Sequence, residues 1–159
     1  MSAEAVTRTV PLRGMRGMIA DKMVASLHEA AQLTHHARAE VSALLHAKAT
    51  LAEAGVKVSV EDLLMAVLVR VLRQHPELNG VVRGRDIVLS DVVDLCVAIA
   101  LPGNLLAAPA IFGASQMTLP ELRAARQDLA ARARANKLTV PEMTGGTFTL
   151  SNLGLSRVE

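Results

Sequence analysis

The segment Thr144-Gly-Gly-Thr-Phe-Thr-Leu-Ser-Asn-Leu-Gly154, TGGTFTLSNLG in one-letter code, carries the most specific pattern in the chain. Thr147 to Leu150 alternates polar and apolar residues, which predicts a short, half-buried β-strand. The two preceding glycines lack a Cβ and so permit close approach of another chain or a ligand. Ser151 and Asn152 follow the strand and lead into a turn at Gly154. The segment predicts a strand that ends in a polar site.

The Ser151 hydroxyl could donate a hydrogen bond to a developing oxyanion without acting as a nucleophile. A plain serine between a strand and a turn is the alternative. Ser151 lacks the G-x-S-x-G context of a nucleophile elbow. The glycines of the segment fit neither a Walker nor a dinucleotide fingerprint, so a phosphate-binding loop is not indicated.

Composition limits the classes of protein to consider. With 159 residues, 51% of them hydrophobic, the chain is long enough for one globular domain with a core. Seventeen basic and 15 acidic residues nearly balance, and only two phenylalanines represent the aromatics, so we expect no nucleic-acid partner. The single cysteine, Cys96, lies in an apolar run, which favours core packing over a redox or metal site.

Helix signals occur near the N-terminus. Apolar residues at helical spacing predict an amphipathic helix over about residues 13 to 30, with its methionine stripe in the core. Ser42 is expected to cap a second helix, which stops at Gly55. Ser59 and Asp62 have capping-box spacing and begin a helix to about His75. This third helix is apolar almost all round, so we expect it to be buried.

Two further start signals, Thr118-Leu-Pro-Glu121 and Thr139-Val-Pro-Glu142, lie in the C-terminal third. Each combines a threonine, an early proline and a glutamate three residues after the threonine. The first begins a basic helix to about Ala135. Its arginines could contact phosphate, but Glu121 and Asp128 lie among them, which favours a solvated face.

The middle of the chain is rich in β-branched residues, with glycine or proline between short runs. These runs predict a central sheet with strands at 81–82, 87–89, 92–101 and 105–111. Leu33 to Val41 can form another strand. The uncharged window Leu95 to Ala114 contains a predicted type II turn at Leu101-Pro-Gly-Asn104, so we expect strands there, not a membrane span. Helices on a sheet of mixed topology give the α/β (α+β) class.

The histidines indicate neither a metal site nor a catalytic base. His35 and His36 are adjacent on the predicted strand and would point to opposite faces, so we expect no metal site. His75 is followed four residues later by Asn79 and then Gly80. Its position at the exit of a helix beside Pro76 favours a structural role over that of a catalytic base.

Several motifs occur in one order along the chain: Val10-Pro-Leu-Arg-Gly-Met-Arg-Gly-Met-Ile-Ala20, Ala39-Glu-Val41, Glu61-Asp-Leu-Leu64, Pro76-Glu-Leu-Asn79, Lys137-Leu138 and Gly145-Gly-Thr-Phe-Thr-Leu-Ser-Asn-Leu-Gly154. This series resembles the catalytic domain of the dihydrolipoamide acyltransferases, the core components of 2-oxo-acid dehydrogenase complexes. The resemblance extends from about Thr9 to the end of the chain.

The resemblance implies a fold like that of chloramphenicol acetyltransferase, a mixed sheet with helices. It also implies a homotrimer or larger core with active sites between subunits. Coenzyme A and lipoyl-lysine would be the substrates, no metal would be needed, and a lipoyl domain and other dehydrogenase complex components would be partners. Ser151 matches the serine that stabilises the oxyanion. Arg16 matches an arginine that braces the site, and Asn152 would support it.

The family's histidine base lies in an HxxxDG motif, which does not occur in this sequence. We therefore expect residues 1–8 to be an extension and residues 9–159 to be the N-terminal two-thirds of the domain, incomplete at the C-terminus and inactive alone. A non-catalytic structural or assembly relative is the alternative. The missing strands would expose apolar surface and favour self-association. The first residues show no secretory signal, so we expect a cytoplasmic location.

Overall fold

A computed structural model describes residues 9–103 and 105–154 and divides the chain into two compact units, Met1–His36 and Ala37–Glu159. In the N-terminal unit, helix α1 spans Met15–Glu29, close to the predicted bounds. Its apolar stripe is exposed, with Met23 54% and Leu27 68% accessible. Within its own unit the stripe is therefore not buried as expected, because a single helix offers its own apolar face no opposing surface.

Residues 31–41 form neither helix nor strand. The strand expected from Leu33 to Val41 is therefore absent from the structure. A strand requires a neighbouring strand to accept and donate its backbone hydrogen bonds, and no described residue supplies one along this range.

In the second unit, helix α2 spans Ser42–Glu53, with Val41 and not Ser42 at its N-cap. Helix α3 spans Val60–Gln74 and begins with the predicted capping box. The Ser59 backbone N–H donates to Asp62 Oδ2 over 2.7 Å, and the Asp62 N–H donates to Ser59 Oγ over 3.1 Å. His75 is the C-cap, as predicted from the proline that follows it.

Only one side of α3 is buried. Its Met65, Val69 and Leu72 belong to the core, whereas Val67 is 51% exposed. The prediction of complete burial was wrong because the unit provides packing partners along one face of this helix only.

Among the described residues, the strands form three small sheets instead of one central sheet. Strands β1 (Gly80–Arg83) and β2 (Asp86–Leu89) form an antiparallel hairpin, as do β4 (Ile99–Leu101) and β5 (Leu105–Ala107). Strand β3 (Leu95–Val97) lies between β6 (Ala110–Ile111) and β7 (Phe148–Leu150).

The window from Leu95 to Ala114 is therefore strands and turns, as expected. Gly103, at the third position of the predicted type II turn, has φ of 77°, which that turn requires. Within the described residues, no helix has the length and apolar character needed to cross a membrane.

Helix α4 spans Leu119–Arg134 and helix α5 spans Val140–Thr144, and both begin with the predicted capping boxes. Helices α3 and α4 pack together, and their buried residues share one aliphatic core with β3, β4 and β6. The mixture of helices and small sheets confirms the predicted α/β (α+β) class.

Candidate functional site

Ser151 directly follows strand β7, which lies at the edge of a three-stranded sheet. β7 runs parallel to β3, with Leu95 opposite Phe148 and Val97 opposite Leu150. The last hydrogen bond of the pair is donated by the Ala98 N–H to the Leu150 carbonyl over 3.0 Å. Pairing ends at Leu150, so Ser151 is the first residue beyond the sheet.

The other end of the strand is fixed by backbone and side-chain hydrogen bonds. The Thr147 N–H donates to the Asp94 carbonyl over 2.8 Å, and the Asp94 N–H donates to Thr147 Oγ1 over 3.1 Å. The Asp94 carboxylate accepts a 2.7 Å hydrogen bond from the Gly113 N–H. Asp94 and Gly113, from two distant parts of the chain, thus help to set the position of β7.

The two glycines before β7 allow other groups to approach the backbone closely, and those groups belong to this same chain. A Cβ on Gly146 would overlap the Cys96 sulfur, and one on Gly145 would lie 2.9 Å from the Phe112 ring. The expectation that these glycines admit another chain or a ligand is therefore corrected. They let the segment pack closely against its neighbours in the sheet. Cys96 is buried beside Gly146, and its burial was predicted.

Ser151 is exposed, and it follows β7 on the side of the sheet away from the main core. Phe148 and Leu150 pack against the core cluster, whereas Thr149 between them is exposed. Because side chains alternate along a strand, Ser151 continues the Thr149 face. No hydrogen bond to the Ser151 hydroxyl occurs among residues 9–103 and 105–154. Its O–H can therefore donate to a ligand.

Asn152 shapes the turn after Ser151. Its Oδ1 accepts a 2.9 Å hydrogen bond from the Gly154 N–H, the geometry of an Asx-type turn. The structure thus brings Ser151 and Asn152 together, as their adjacency requires. Arg16 lies in the first turn of α1, in the N-terminal unit, and its supporting role stays a prediction.

The histidines show no metal-site geometry. His35 and His36 are exposed in the irregular segment 31–41, and the His75 Nδ1 lies 3.4 Å from Glu77 Oε1 at the end of α3. Within the part of the chain that the structure describes, no three His, Cys, Asp or Glu side chains are grouped to hold a metal ion.

The basic helix α4 holds Arg123, Arg126 and Arg132 in ion pairs within the chain. Arg126 Nε lies 2.7 Å from Asp62 Oδ1, and Arg132 forms pairs with Asp128 and Glu142. Burial raises the pKa of Asp62, but hydrogen bonds from Arg126 and Ser59 outweigh it, so that the pKa lies below its ordinary value. The predicted solvated face therefore also links α4 to α3 and α5.

Sequence reasoning missed Asp94 and Thr147, which position the candidate serine. The available signal was the threonine directly after two glycines, but its partner lies 53 residues away in the chain. What the site offers chemically is an exposed hydroxyl donor on a rigidly held strand. That is the requirement for stabilising negative charge on an oxygen atom.

The family profile described as 2-oxoacid dehydrogenases acyltransferase (catalytic domain) matches residues 4–159. A probable dihydrolipoyllysine-residue succinyltransferase component of the 2-oxoglutarate dehydrogenase complex from Schizosaccharomyces pombe is 33% identical over 155 residues. That match covers 92% of this chain and 34% of the relative. The corresponding Azotobacter vinelandii component is 28% identical over 160 residues, covering 97% of this chain and 40% of the relative. The chain thus spans about a third to two fifths of the length of these curated relatives.

Solved structures agree with this match. The Azotobacter vinelandii dihydrolipoamide acetyltransferase, studied for the role of a serine, a histidine and an asparagine in its catalytic mechanism, superposes with a TM-score of 0.86 at 25% identity. The superposition covers 98% of this chain and 66% of the acetyltransferase chain. The cubic core of a pyruvate dehydrogenase multienzyme complex gives a TM-score of 0.84 at 26% identity, with the same coverage of both chains. This chain belongs to the family of 2-oxoacid dehydrogenase acyltransferase catalytic domains.

Proposed function

We propose that this domain moves an acyl group between dihydrolipoamide and coenzyme A, and that Ser151 donates a hydrogen bond to the oxyanion of the reaction. The exposed Ser151 hydroxyl, held at the end of β7 and free of hydrogen bonds from other described residues, is the observation that carries the assignment. It is supported by the study of a catalytic serine in the Azotobacter vinelandii relative.

The chemistry is transfer between two thiols. A base removes the proton from the attacking S–H, and the thiolate sulfur forms a bond to the thioester carbonyl carbon. The carbonyl oxygen then carries the negative charge, and collapse of this intermediate expels the other sulfur as a thiolate. A hydrogen bond from Ser151 is stronger to the oxyanion than to the neutral carbonyl, so it lowers the barrier. Asn152 supports this geometry by shaping the turn after Ser151.

Acyl transfer also requires the base that removes the proton from the attacking thiol. The sequence contains no HxxxDG motif, and His75 lies at the C-cap of α3. In this proposal the base comes from outside the 159 residues, on a longer protein or on a neighbouring subunit. The proposal therefore also includes a homotrimer or larger core, with lipoyl-lysine presented by a lipoyl domain.

Exposed apolar side chains support such an assembly. Ile87 is 70% exposed on the β1–β2 hairpin, and Val67 is 51% exposed on α3. Val82, the cross-strand partner of Ile87, is 55% exposed, and contiguous exposed apolar side chains mark sites of protein association.

A second candidate is a non-catalytic relative that keeps the core packing of the family. The absence of HxxxDG favours it. The two candidates differ in what Ser151 contributes: in the second, the hydroxyl would have no effect on acyl transfer.

Acyl transfer from acetyl coenzyme A to dihydrolipoamide tests the assignment. A free cysteine thiol has a pKa of about 8.5, so at about pH 9 a fraction of an unactivated thiol is already ionised without a base, and the rate over buffer reports oxyanion stabilisation. Loss of one oxyanion donor typically lowers turnover by about 10² to 10³. We expect Ser151→Ala to lower the excess rate toward that of buffer.

Thr149→Val is the matched control, since Thr149 lies on the same exposed face two residues earlier. It should keep the wild-type rate. Equal rates for wild type and Ser151→Ala, with both chains folded by circular dichroism, would rule out the serine assignment. At this pH the lack of an HxxxDG base does not by itself prevent the reaction, so a wild-type chain no faster than buffer would favour the structural relative.

A further inference from the structure

A cavity outside the Ser151 region has a composition that the proposed function does not use. Its volume is about 310 Å³, and it lies between α3, the short 3₁₀ turn Ala114–Gln116 and the start of α4. Its wall residues are Ala66, Val69, Arg70, Arg73, Ala114, Ser115, Met117 and Leu122. The lining thus combines aliphatic residues with two arginines and one serine.

Among the described residues, the two arginines of this cavity have no acidic partner. Arg70 and Arg73 are three residues apart on α3, so they share one face of the helix. In the part of the chain that the structure describes, no ion pair joins either of them to a carboxylate. By contrast, Arg126 and Arg132 on the facing helix are both paired.

Like charges at this spacing repel each other, and a bound anion would reverse that repulsion. The guanidinium group is the side chain best suited to a carboxylate, because its N–H donors match both oxygens. Ser115 adds a further donor at the same wall. The two arginines and Ser115 therefore suit one carboxylate as a ligand.

The apolar part limits the rest of the ligand. Val69 and Leu122 are almost fully buried and belong to the core, so the floor is rigid and aliphatic. A volume of about 310 Å³ is at the lower end of small-molecule pockets. A protein partner would normally require about 800 Å² of surface from each side. A small ligand with a short aliphatic chain fits the cavity better than a protein segment.

We propose that this cavity binds a short-chain aliphatic carboxylate, with the carboxylate on Arg70 and Arg73 and the chain against Val69, Ala66 and Leu122. The site would be separate from acyl transfer, because neither Ser151 nor Asn152 lines it. It does not depend on the assignment of Ser151.

Equilibrium dialysis with radiolabelled hexanoate tests the proposal, because it measures binding whether or not the chain self-associates. We expect saturable binding with a dissociation constant on the order of 1 mM, as suits so small a ligand. Acetate, which has the charge but not the chain, and hexan-1-ol, which has the chain but not the charge, should each compete at least about tenfold more weakly.

The double variant Arg70→Gln/Arg73→Gln should bind hexanoate at least about tenfold more weakly than wild type. Arg83→Gln/Arg85→Gln removes the same charge from the exposed β1–β2 region and should bind as wild type does. Circular dichroism checks that each variant is folded. Equal binding by the two double variants would overturn the proposal, as would the absence of saturable binding to folded wild type.

A blocked peptide with one glutamate between two leucines is dialysed in parallel. Binding of the peptide without binding of hexanoate would overturn the small-ligand assignment and point to a protein segment instead.

Discussion

At the scale of single residues, the candidate site depends on the glycine at position 146. Gly146 has no Cβ, and the Cys96 sulfur occupies the space where one would lie. Directly after it, Thr147 and Asp94 exchange hydrogen bonds that set the start of β7. Ser151, four residues beyond Thr147, therefore takes its position from contacts at the opposite end of its strand.

The variant Gly146→Ala should lower the free energy of unfolding by about 1 to 3 kcal/mol, because the added methyl group overlaps the Cys96 sulfur. Chemical denaturation by urea measures the change. The matched test is the double variant Gly146→Ala/Cys96→Ala, in which the sulfur is absent and the penalty should largely disappear relative to Cys96→Ala alone. Strictly additive effects of the two substitutions would contradict this account of the contact.

At the scale of elements, short helices are held by their N-terminal caps and by ion pairs to neighbouring helices. α5 is only five residues long, too short to form alone. Glu142 accepts hydrogen bonds from the Thr139 N–H at the cap and from Arg132 of α4. These hydrogen bonds, from Arg132 first and then Thr139, lower the pKa of Glu142 to about 2. α5 leads directly to the glycines before β7, so this carboxylate supports the approach to the site.

Stability should depend on pH through Glu142. A lowered pKa in the folded state means that the contribution is fully present above the ordinary value of 4.5 and is lost as the pH falls toward about 2. Glu142→Gln should cost about 1 to 2 kcal/mol at pH 7, from the cap and the ion pair together. The difference from wild type should shrink at pH 3.5, as urea midpoints at both pH values would show.

Glu53→Gln, at the exposed end of α2, is the control and should change stability little at either pH. A Glu142→Gln penalty that stays the same from pH 7 to pH 3.5 would contradict the assignment of the pH dependence to this carboxylate.

At the scale of the whole molecule, a group of apolar side chains is exposed on the β1–β2 hairpin. Both faces of the β1–β2 hairpin are exposed, and its side chains include Val82 and Ile87 at 55% and 70% accessibility. A two-stranded hairpin with no covering layer is only marginally stable in water. This surface agrees with the expectation that the chain self-associates.

Sedimentation equilibrium at micromolar concentration should therefore detect oligomers of the wild-type chain. Ile87→Lys places a charge in the middle of the apolar hairpin and should shift the distribution toward monomer by at least about tenfold in the association constant. Ile87→Leu keeps the apolar character and should associate as wild type does. A wild-type chain that stays monomeric would remove the support that this surface gives to a multimeric core.

The sequence by itself determined the local features of this protein. The capping boxes at Ser59, Thr118 and Thr139 placed three helix starts correctly, because a cap is a contact between residues three apart. The SNLG motif identified Ser151 as the candidate residue, and the order of motifs indicated the family, which the family profile confirms.

Only the tertiary structure decided which surfaces are covered. α1 and α3 carry apolar residues that predicted burial, yet Leu27 and Val67 are exposed, because burial depends on a partner surface that periodicity does not specify. The expected strand at 33–41 failed for the same reason, since a strand requires a neighbour. Likewise, Gly146 meets Cys96 and Thr147 meets Asp94 across about 50 residues of sequence. Local patterns do not encode such pairings, because chain topology alone brings distant residues together.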